Sequence, residues 1–216
     1  MRAVVRKIDL ALSQLYELDA SHRADQYLLR RTQPDSVEGL EGALLIKNSV
    51  PTNSVLLAIY LSDETRRALA GFRQWPRPPW PHDALKAFTV AVEEVSHFRR
   101  VVFAASEDRL TSRLEMELQG EIDKFIVAYL GQWGATPPVA GFEQLYAALF
   151  EDFHFAPNLS PEDRVRYEKA HALARRFVER WGHSLGDPNR RSRFLRWLRR
   201  FYRMEFDAKI HAINGR

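Results

Sequence analysis

The chain has 216 residues and contains no cysteine. This absence excludes a disulfide scaffold, a thiolate metal site, a cysteine-ligated iron-sulfur cluster and a cysteine nucleophile. Any chemistry must therefore rest on histidine, carboxylate or hydroxyl side chains. Hydrophobic residues make up 45% of the chain and the charges nearly balance, which is enough to build a packed core and excludes long-range disorder as the main state.

Glycine is also scarce, with 10 residues scattered along the chain. The glycine patterns of phosphate-binding loops and of dinucleotide-binding turns are missing from the sequence, and so is the Gly-x-Ser-x-Gly turn of serine hydrolases. None of these enzyme classes is indicated. The sequence favours a protein that is not an enzyme.

Long apolar runs are missing as well. The longest, from Val55 to Leu61, is far short of the roughly 20 residues that span a bilayer. The N-terminus carries Arg2, Arg6 and Lys7 and lacks the uninterrupted apolar core of a signal peptide. We therefore predict a cytoplasmic protein with no membrane insertion.

The spacing of apolar residues predicts a mainly α protein, a helical bundle with a small antiparallel β-hairpin near residues 43–61, which belongs to the α+β class. Ser62 and Ser160 are predicted N-caps, because acidic residues that complement a helix dipole follow each of them. Helices are predicted over residues 3–31, 63–72, 83–105, 109–132, 142–155, 161–181 and 190–213.

The length favours a single domain over residues 1–216. Four prolines between residues 75 and 81 fix φ and remove hydrogen-bond donors. This Pro-rich segment is therefore predicted to be a stiff connector. It would join an N-terminal part of helix and hairpin to a C-terminal helical part.

The predicted helix over residues 83–105 is apolar nearly all round, yet it carries Glu94 and His97 three residues apart on one face. If it packs antiparallel to the next helix, His97 comes level with Glu117, and Glu94 comes close to Glu121. We therefore predict a buried polar network whose members satisfy one another. Its residues are Glu94, His97, Glu117, Glu121 and Lys124.

A metal site is the alternative for the acids and the histidine of this network. Carboxylates and imidazoles bind iron, manganese or zinc in helical bundles such as the di-iron-carboxylate enzymes. A second Glu-x-x-His pair, Glu151 and His154, fits that pattern, but Glu151 points away from the apolar stripe of its predicted helix. The alternative metal ligands are Glu94, His97, Glu117 and Glu121.

Charge is unevenly distributed along the chain. Residues 1–159 hold 17 Lys and Arg against 21 Asp and Glu, whereas residues 160–216 hold 15 against 7. The most biased stretch, from Arg190 to Arg203, contains seven arginines and neither acid nor lysine. Helical spacing places a stripe of arginines on one side of it and apolar residues on the other.

Arginine suits planar recognition of carboxylate or phosphate. We therefore predict that an acidic protein partner binds this stripe. The alternatives are pairing within the chain, a nucleic acid and a membrane surface; no helix-turn-helix, zinc-finger or RNP pattern accompanies the charge. The predicted partner-binding residues are Arg193, Arg196, Arg199, Arg200 and Arg203.

Three short motifs resemble stretches of a family of uncharacterised bacterial proteins. They are Glu94-Val95-Ser96-His97-Phe98, the stretch from Glu115 to Phe125, and Leu198-Arg199-Arg200-Phe201-Tyr202-Arg203. The resemblance covers most of the chain and implies no activity. It does imply a functional surface around His97, Glu117, Glu121 and the arginine-rich helix.

Together these observations predict a non-enzymatic bacterial accessory or adaptor protein that engages an acidic partner through its arginine-rich C-terminal helix. A metal-dependent helical-bundle enzyme is the first alternative. A nucleic-acid-binding protein is the second. The sequence leaves the oligomeric state open.

Overall fold

The computed structural model describes residues 1–30, 37, 39–49, 54–71, 82–133, 139–152, 155 and 159–215. The strands are β1 (Gly42–Ser49) and β2 (Ser54–Leu61). The helices are α1 (Arg2–Tyr16), α2 (Asp63–Ala70), α3 (His82–Ser106), α4 (Arg113–Trp133), α5 (Val139–Tyr146), α6 (Pro161–Trp181), α7 (His183–Gly186), α8 (Pro188–Arg203) and α9 (Phe206–Asn214). A 3-10 turn spans Ala24–Gln26, and a π-helical turn, Ala147–Glu151, continues α5.

This composition confirms the predicted class, mainly α with a small antiparallel hairpin. Two predictions fall on residues that the structure does not describe. They are the connector over residues 75–81 and His154, the histidine of the second Glu-x-x-His pair. Among the described helices, none is both long enough and apolar enough to cross a membrane.

The described residues form two compact units. The first unit consists of Met1–Gln14 and Leu18–Arg109, and the second of Leu15–Glu17 and Leu110–Arg216. Helix α1 therefore gives most of its length to the first unit and its last two residues to the second.

The first unit contains the hairpin formed by β1 and β2. Gly42 of β1 pairs with Leu61 of β2, and the antiparallel register continues to the far end of both strands. One end of the hairpin packs on α3, where β1 comes very close to the helix. A Cβ atom on Gly42 would lie 2.7 Å from Val90 Cγ1 and 2.9 Å from Glu94 Cγ, so only glycine fits this approach.

The predicted first helix over residues 3–31 is wrong in its length, because α1 ends at Tyr16. Glu17 follows with φ of 53°, in the left-handed region that ends a helix. Further on, Tyr27 and Leu29 hydrogen-bond to the backbone of Ile59 at 2.8 and 2.9 Å. Pairing with the free edge of β2 therefore overrides the helical spacing of the apolar residues.

Both predicted N-caps are present. The Ser62 hydroxyl accepts from the backbone N–H of Thr65 at 3.1 Å, at the start of α2. The Ser160 hydroxyl accepts from the N–H of Asp163 at 3.1 Å, with Pro161 in the first turn of α6. In each case a side-chain oxygen satisfies a backbone donor that has no partner inside the helix.

The second unit is built around α4, which packs along α6. An aromatic cluster of Phe125, Tyr129 and Phe142 joins α4 to α5. The predicted helix over residues 190–213 is interrupted, because Met204 and Glu205 are extended, with ψ of 152° at each. This break separates α9 from α8, and Lys209 of α9 bonds to Glu115 of α4.

Substitution of Gly42 by alanine tests the close approach of β1 to α3. We expect Gly42→Ala to lower the free energy of unfolding by about 1–3 kcal/mol, because the new methyl group overpacks against Val90 and Glu94. Urea unfolding measures the change. Gly71→Ala is the matched control, since its Cβ would meet only the Ala68 carbonyl oxygen at 3.5 Å, and its effect should be within about 1 kcal/mol. Equal losses in the two variants would contradict the prediction.

Candidate functional site

Helix α4 carries ionisable and amide side chains in a buried environment. Residues 117–129 are buried without interruption, and Glu115 is also buried. Polar residues recur at every second position. Because each residue is rotated by about 100° around the helix axis from the one before, successive polar side chains point in different directions. They are Glu115, Glu117, Gln119, Glu121 and Asp123.

One face of α4 meets basic groups of α6. Glu121 lies 2.5 Å from Lys124 Nζ and 3.3 Å from His171 Nδ1 of α6. Glu117 Oε1 lies 3.5 Å from Nε of Arg166, also on α6. Burial alone would raise the pKa of Glu121, but the charge of Lys124 and the hydrogen bond and charge of His171 outweigh it and lower that pKa to about 2.

The other faces of α4 meet α9 and the last turn of α1. Glu115 Oε1 accepts from Lys209 Nζ at 3.0 Å, and both side chains are almost fully buried. Tyr16 donates its hydroxyl hydrogen to Asp123, and Gln119 Nε2 donates to the Tyr16 oxygen at 3.0 Å. Burial and the nearby Asp123 carboxylate raise the pKa of Tyr16 well above 10, so its hydroxyl stays a donor.

The first unit holds its own buried ionisable side chains. His97 Nδ1 lies 3.8 Å from Glu94 Oε2 on α3, and the two residues are 8% and 6% exposed. Arg99 Nε lies 2.5 Å from Asp9 Oδ1 of α1. The second oxygen of Asp9 accepts from the backbone N–H of Ala24 at 3.1 Å, so this acid joins α1, α3 and the 3-10 turn.

The five residues of the predicted network are all buried, but the structure distributes them over both units. Glu94 and His97 belong to the first unit, and Glu117, Glu121 and Lys124 to the second. Within the second unit, Lys124 contacts Glu121.

Sequence reasoning missed several partners of these buried groups. Asp9 was detectable, because it lies in register with the buried positions Val5 and Ser13 of α1. The three others come from distant elements, and no local pattern marks them as partners of α4. They are Arg166, His171 and Lys209.

Six of the seven arginines of α8 fall into two groups, and the seventh, Arg190, pairs with Asp187 at 3.2 Å. Arg191 Nε donates to the Leu185 carbonyl oxygen at 2.6 Å. Arg199 donates to the Leu15 carbonyl oxygen at 3.0 Å and pairs with the Glu17 carboxylate at 2.7 Å. Arg203 Nη2 donates to the Glu17 carbonyl oxygen at 3.2 Å. The bonds to Leu15 and Glu17 satisfy carbonyl groups at the end of α1 that have no partner inside the helix.

The second group is Arg193, Arg196 and Arg200. All three are exposed, and within the described part of the chain they form neither a hydrogen bond nor an ion pair. Their spacing of three and four residues places them on one face of α8. Trp197 lies beside them, partly exposed, with its ring 4.6 Å from that of Trp181 and 5.7 Å from that of Phe177.

Comparison of the chain with protein-family models, with curated proteins and with solved structures found no match. The resemblance to a bacterial family therefore stays a prediction from three motifs. The functional interpretation rests on the geometry of the two units.

The pKa of Glu121 predicts a pH dependence of stability. Because this pKa lies below its ordinary value of 4.5, the ionised carboxylate stabilises the fold above about pH 4.5, and this contribution is lost as the pH falls towards 2. We expect Glu121→Gln to lower the free energy of unfolding at pH 7 by a few kcal/mol. We also expect it to flatten the fall in stability between about pH 4.5 and pH 2.

Urea unfolding at several pH values measures this effect. Glu168→Gln is the matched control, because Glu168 also belongs to the second unit but is exposed. It should keep the pH dependence of the unchanged protein. A Glu121→Gln variant with that same pH dependence would contradict the assignment.

The metal alternative stays a prediction from the sequence. Glu121 already contacts Lys124 and His171, so a metal ion at this carboxylate would have to displace them. For the metal-free protein that the sequence favours, elemental analysis of protein purified without chelator should find far less than stoichiometric iron, manganese or zinc. Near-stoichiometric metal that is lost in His97→Ala would contradict this expectation and support a metal-dependent enzyme.

Proposed function

We propose that the protein is a non-enzymatic accessory or adaptor protein that binds an acidic protein partner through α8. The observation that carries this proposal is the exposed face of Arg193, Arg196 and Arg200, whose charges have no partner among the described residues. Exposed and unpaired guanidinium groups attract carboxylates and speed association with an acidic surface. Cytoplasmic location and bacterial origin belong to the same proposal and rest on the sequence.

The anchoring of α8 supports a rigid binding surface. Asp187 caps its first turn by accepting from the N–H of Asn189 at 2.9 Å. Arg199 and Arg203 tie its last turns to the end of α1, and the Tyr16 and Tyr202 rings stack at 4.2 Å. The helix is therefore held in place before a partner arrives, which reduces the entropy lost on binding.

The neighbouring aromatic side chain adds to the same surface. Trp197 lies four residues after Arg193 and three before Arg200, so it borders the basic face. Tryptophan and arginine are enriched among the residues that contribute most to protein interfaces. A partner that presents several carboxylates to the arginines and an apolar side chain to Trp197 would match this surface.

Charge reversal of the exposed arginines tests the proposal. We expect the combined Arg193→Glu, Arg196→Glu and Arg200→Glu changes to weaken binding of a fluorescent oligoglutamate peptide by at least about tenfold. Three attractive contacts, each worth roughly 0.2–1 kcal/mol, become repulsive. Fluorescence anisotropy at low salt measures the affinity, and circular dichroism verifies the fold.

The matched control reverses Arg2, Arg6 and Lys7 of α1, which are also exposed and change the net charge by the same amount. This control should retain most of the affinity. Unchanged binding in the α8 variant would contradict the proposal. Tighter binding of a single-stranded oligonucleotide with the same number of charges, with a steep loss between low and moderate salt, would favour nucleic acid as the partner instead.

A further inference from the structure

The backbone N–H and C=O groups of β1 point alternately towards β2 and towards the outer edge of the hairpin. The Ser62 N–H donates to the Glu41 carbonyl oxygen, which continues the ladder between the strands beyond Gly42 and Leu61. Because hydrogen-bonding direction alternates along a strand, Ala43, Leu45 and Lys47 direct their backbone groups towards β2. The residues between them direct theirs to the outer edge of β1.

The same alternation is visible on β2, which supports this assignment. Ile59 exchanges backbone hydrogen bonds with Tyr27 and Leu29 on the side of β2 that faces away from β1. The outer edge of β2 is thus partly covered. Among the described residues nothing pairs with the outer edge of β1, where Gly42, Leu44 and Ile46 present their N–H and C=O groups.

The far end of the hairpin exposes apolar side chains. Ile46 is 46% exposed, and Val55 and Leu56 on the paired strand are 50% and 57% exposed. The paired strands carry apolar residues on both faces here, and a two-stranded ribbon has little stability of its own. An open edge with exposed apolar residues is a template for pairing with another strand.

The charges at the two ends of β1 are complementary to those of a second, antiparallel β1 strand. Glu41 precedes the strand, and Lys47 lies near its far end. If β1 pairs antiparallel with a second β1 so that Leu44 lies opposite Leu44, then Glu41 of each copy lies opposite Lys47 of the other. In this register the outward-facing residues Gly42 and Ile46 also form hydrogen-bonded pairs across the edge.

We propose that two copies of the chain associate through their β1 edges in this register, forming a continuous four-stranded antiparallel sheet. The arrangement has the two-fold symmetry of most protein dimers, so each contact occurs twice. Glu41 also contacts Lys86 within its own copy, but the carboxylate is 42% exposed and has two oxygens, so it accepts a second cation. This surface belongs to the first unit, whereas the proposed partner surface on α8 belongs to the second.

Charge exchange tests the register. Sedimentation equilibrium of the full chain should show a dimer whose population grows with concentration. Lys47→Glu should raise its dissociation constant by about tenfold, because two attractive pairs become repulsive. The double change Glu41→Lys with Lys47→Glu should restore association, since the opposite charges face each other again. Urea unfolding verifies that each variant is folded.

Residue-resolved amide exchange tests the edge directly. The amides of Leu44 and Ile46 point outward, so they should exchange rapidly at low concentration and slowly when the dimer is populated. The amides of Ala43 and Leu45 bond to β2 and should be slow under both conditions. A chain that stays monomeric at all concentrations would overturn the proposal and leave the edge to a strand of another protein. A dimer in which Leu44 and Ile46 still exchange rapidly would overturn it as well.

Discussion

Burial of charged side chains on α4 is the constraint on which the second unit depends. A buried carboxylate loses its hydration, and this loss is offset only when a cation or donor lies against it. Each acid on α4 therefore requires a partner from a particular place, and these partners come from three different elements. Lys209 reaches Glu115 from α9, Arg166 and His171 approach from α6, and Tyr16 bonds to Asp123 from the end of α1. The positions of these elements follow from those contacts as much as from apolar packing.

Such pairs add less to net stability than their geometry suggests, because their desolvation offsets much of the attraction. Their main effect is to favour one packing of the helices over others. An alternative packing that separates a pair leaves a buried charge without a partner, which is strongly disfavoured. The Arg99 and Asp9 pair has the same role in the first unit. It joins α3 to α1, and Asp9 also orients the 3-10 turn through the N–H of Ala24.

Features that depend on neighbouring residues could be predicted from the sequence. The hairpin, the Ser160 cap and the start of α6 follow from local propensity and a local hydrogen bond. The long helix predicted up to residue 31 was wrong because residues 27–29 pair with Ile59, which is remote in the chain. The candidate site likewise has a part that local sequence predicts and a part that depends on tertiary packing. Burial of the residues in the predicted network followed from their apolar neighbours, whereas the identity of His171 as the partner of Glu121 depends on how α6 packs along α4.

These contacts explain part of the uneven charge distribution between residues 1–159 and residues 160–216. The basic excess of residues 160–216 is partly used inside the second unit, because Arg166 and Lys209 neutralise acids of α4. Arg199 and Arg203 are used at the end of α1, where they bond to Glu17. Net charge alone cannot separate these cations from the remainder. The three arginines on the exposed face of α8 serve neither purpose, and a helix already held by its neighbours presents them to solvent. The binding role that we propose would account for the concentration of this charge on one face, which the packing of the unit does not require.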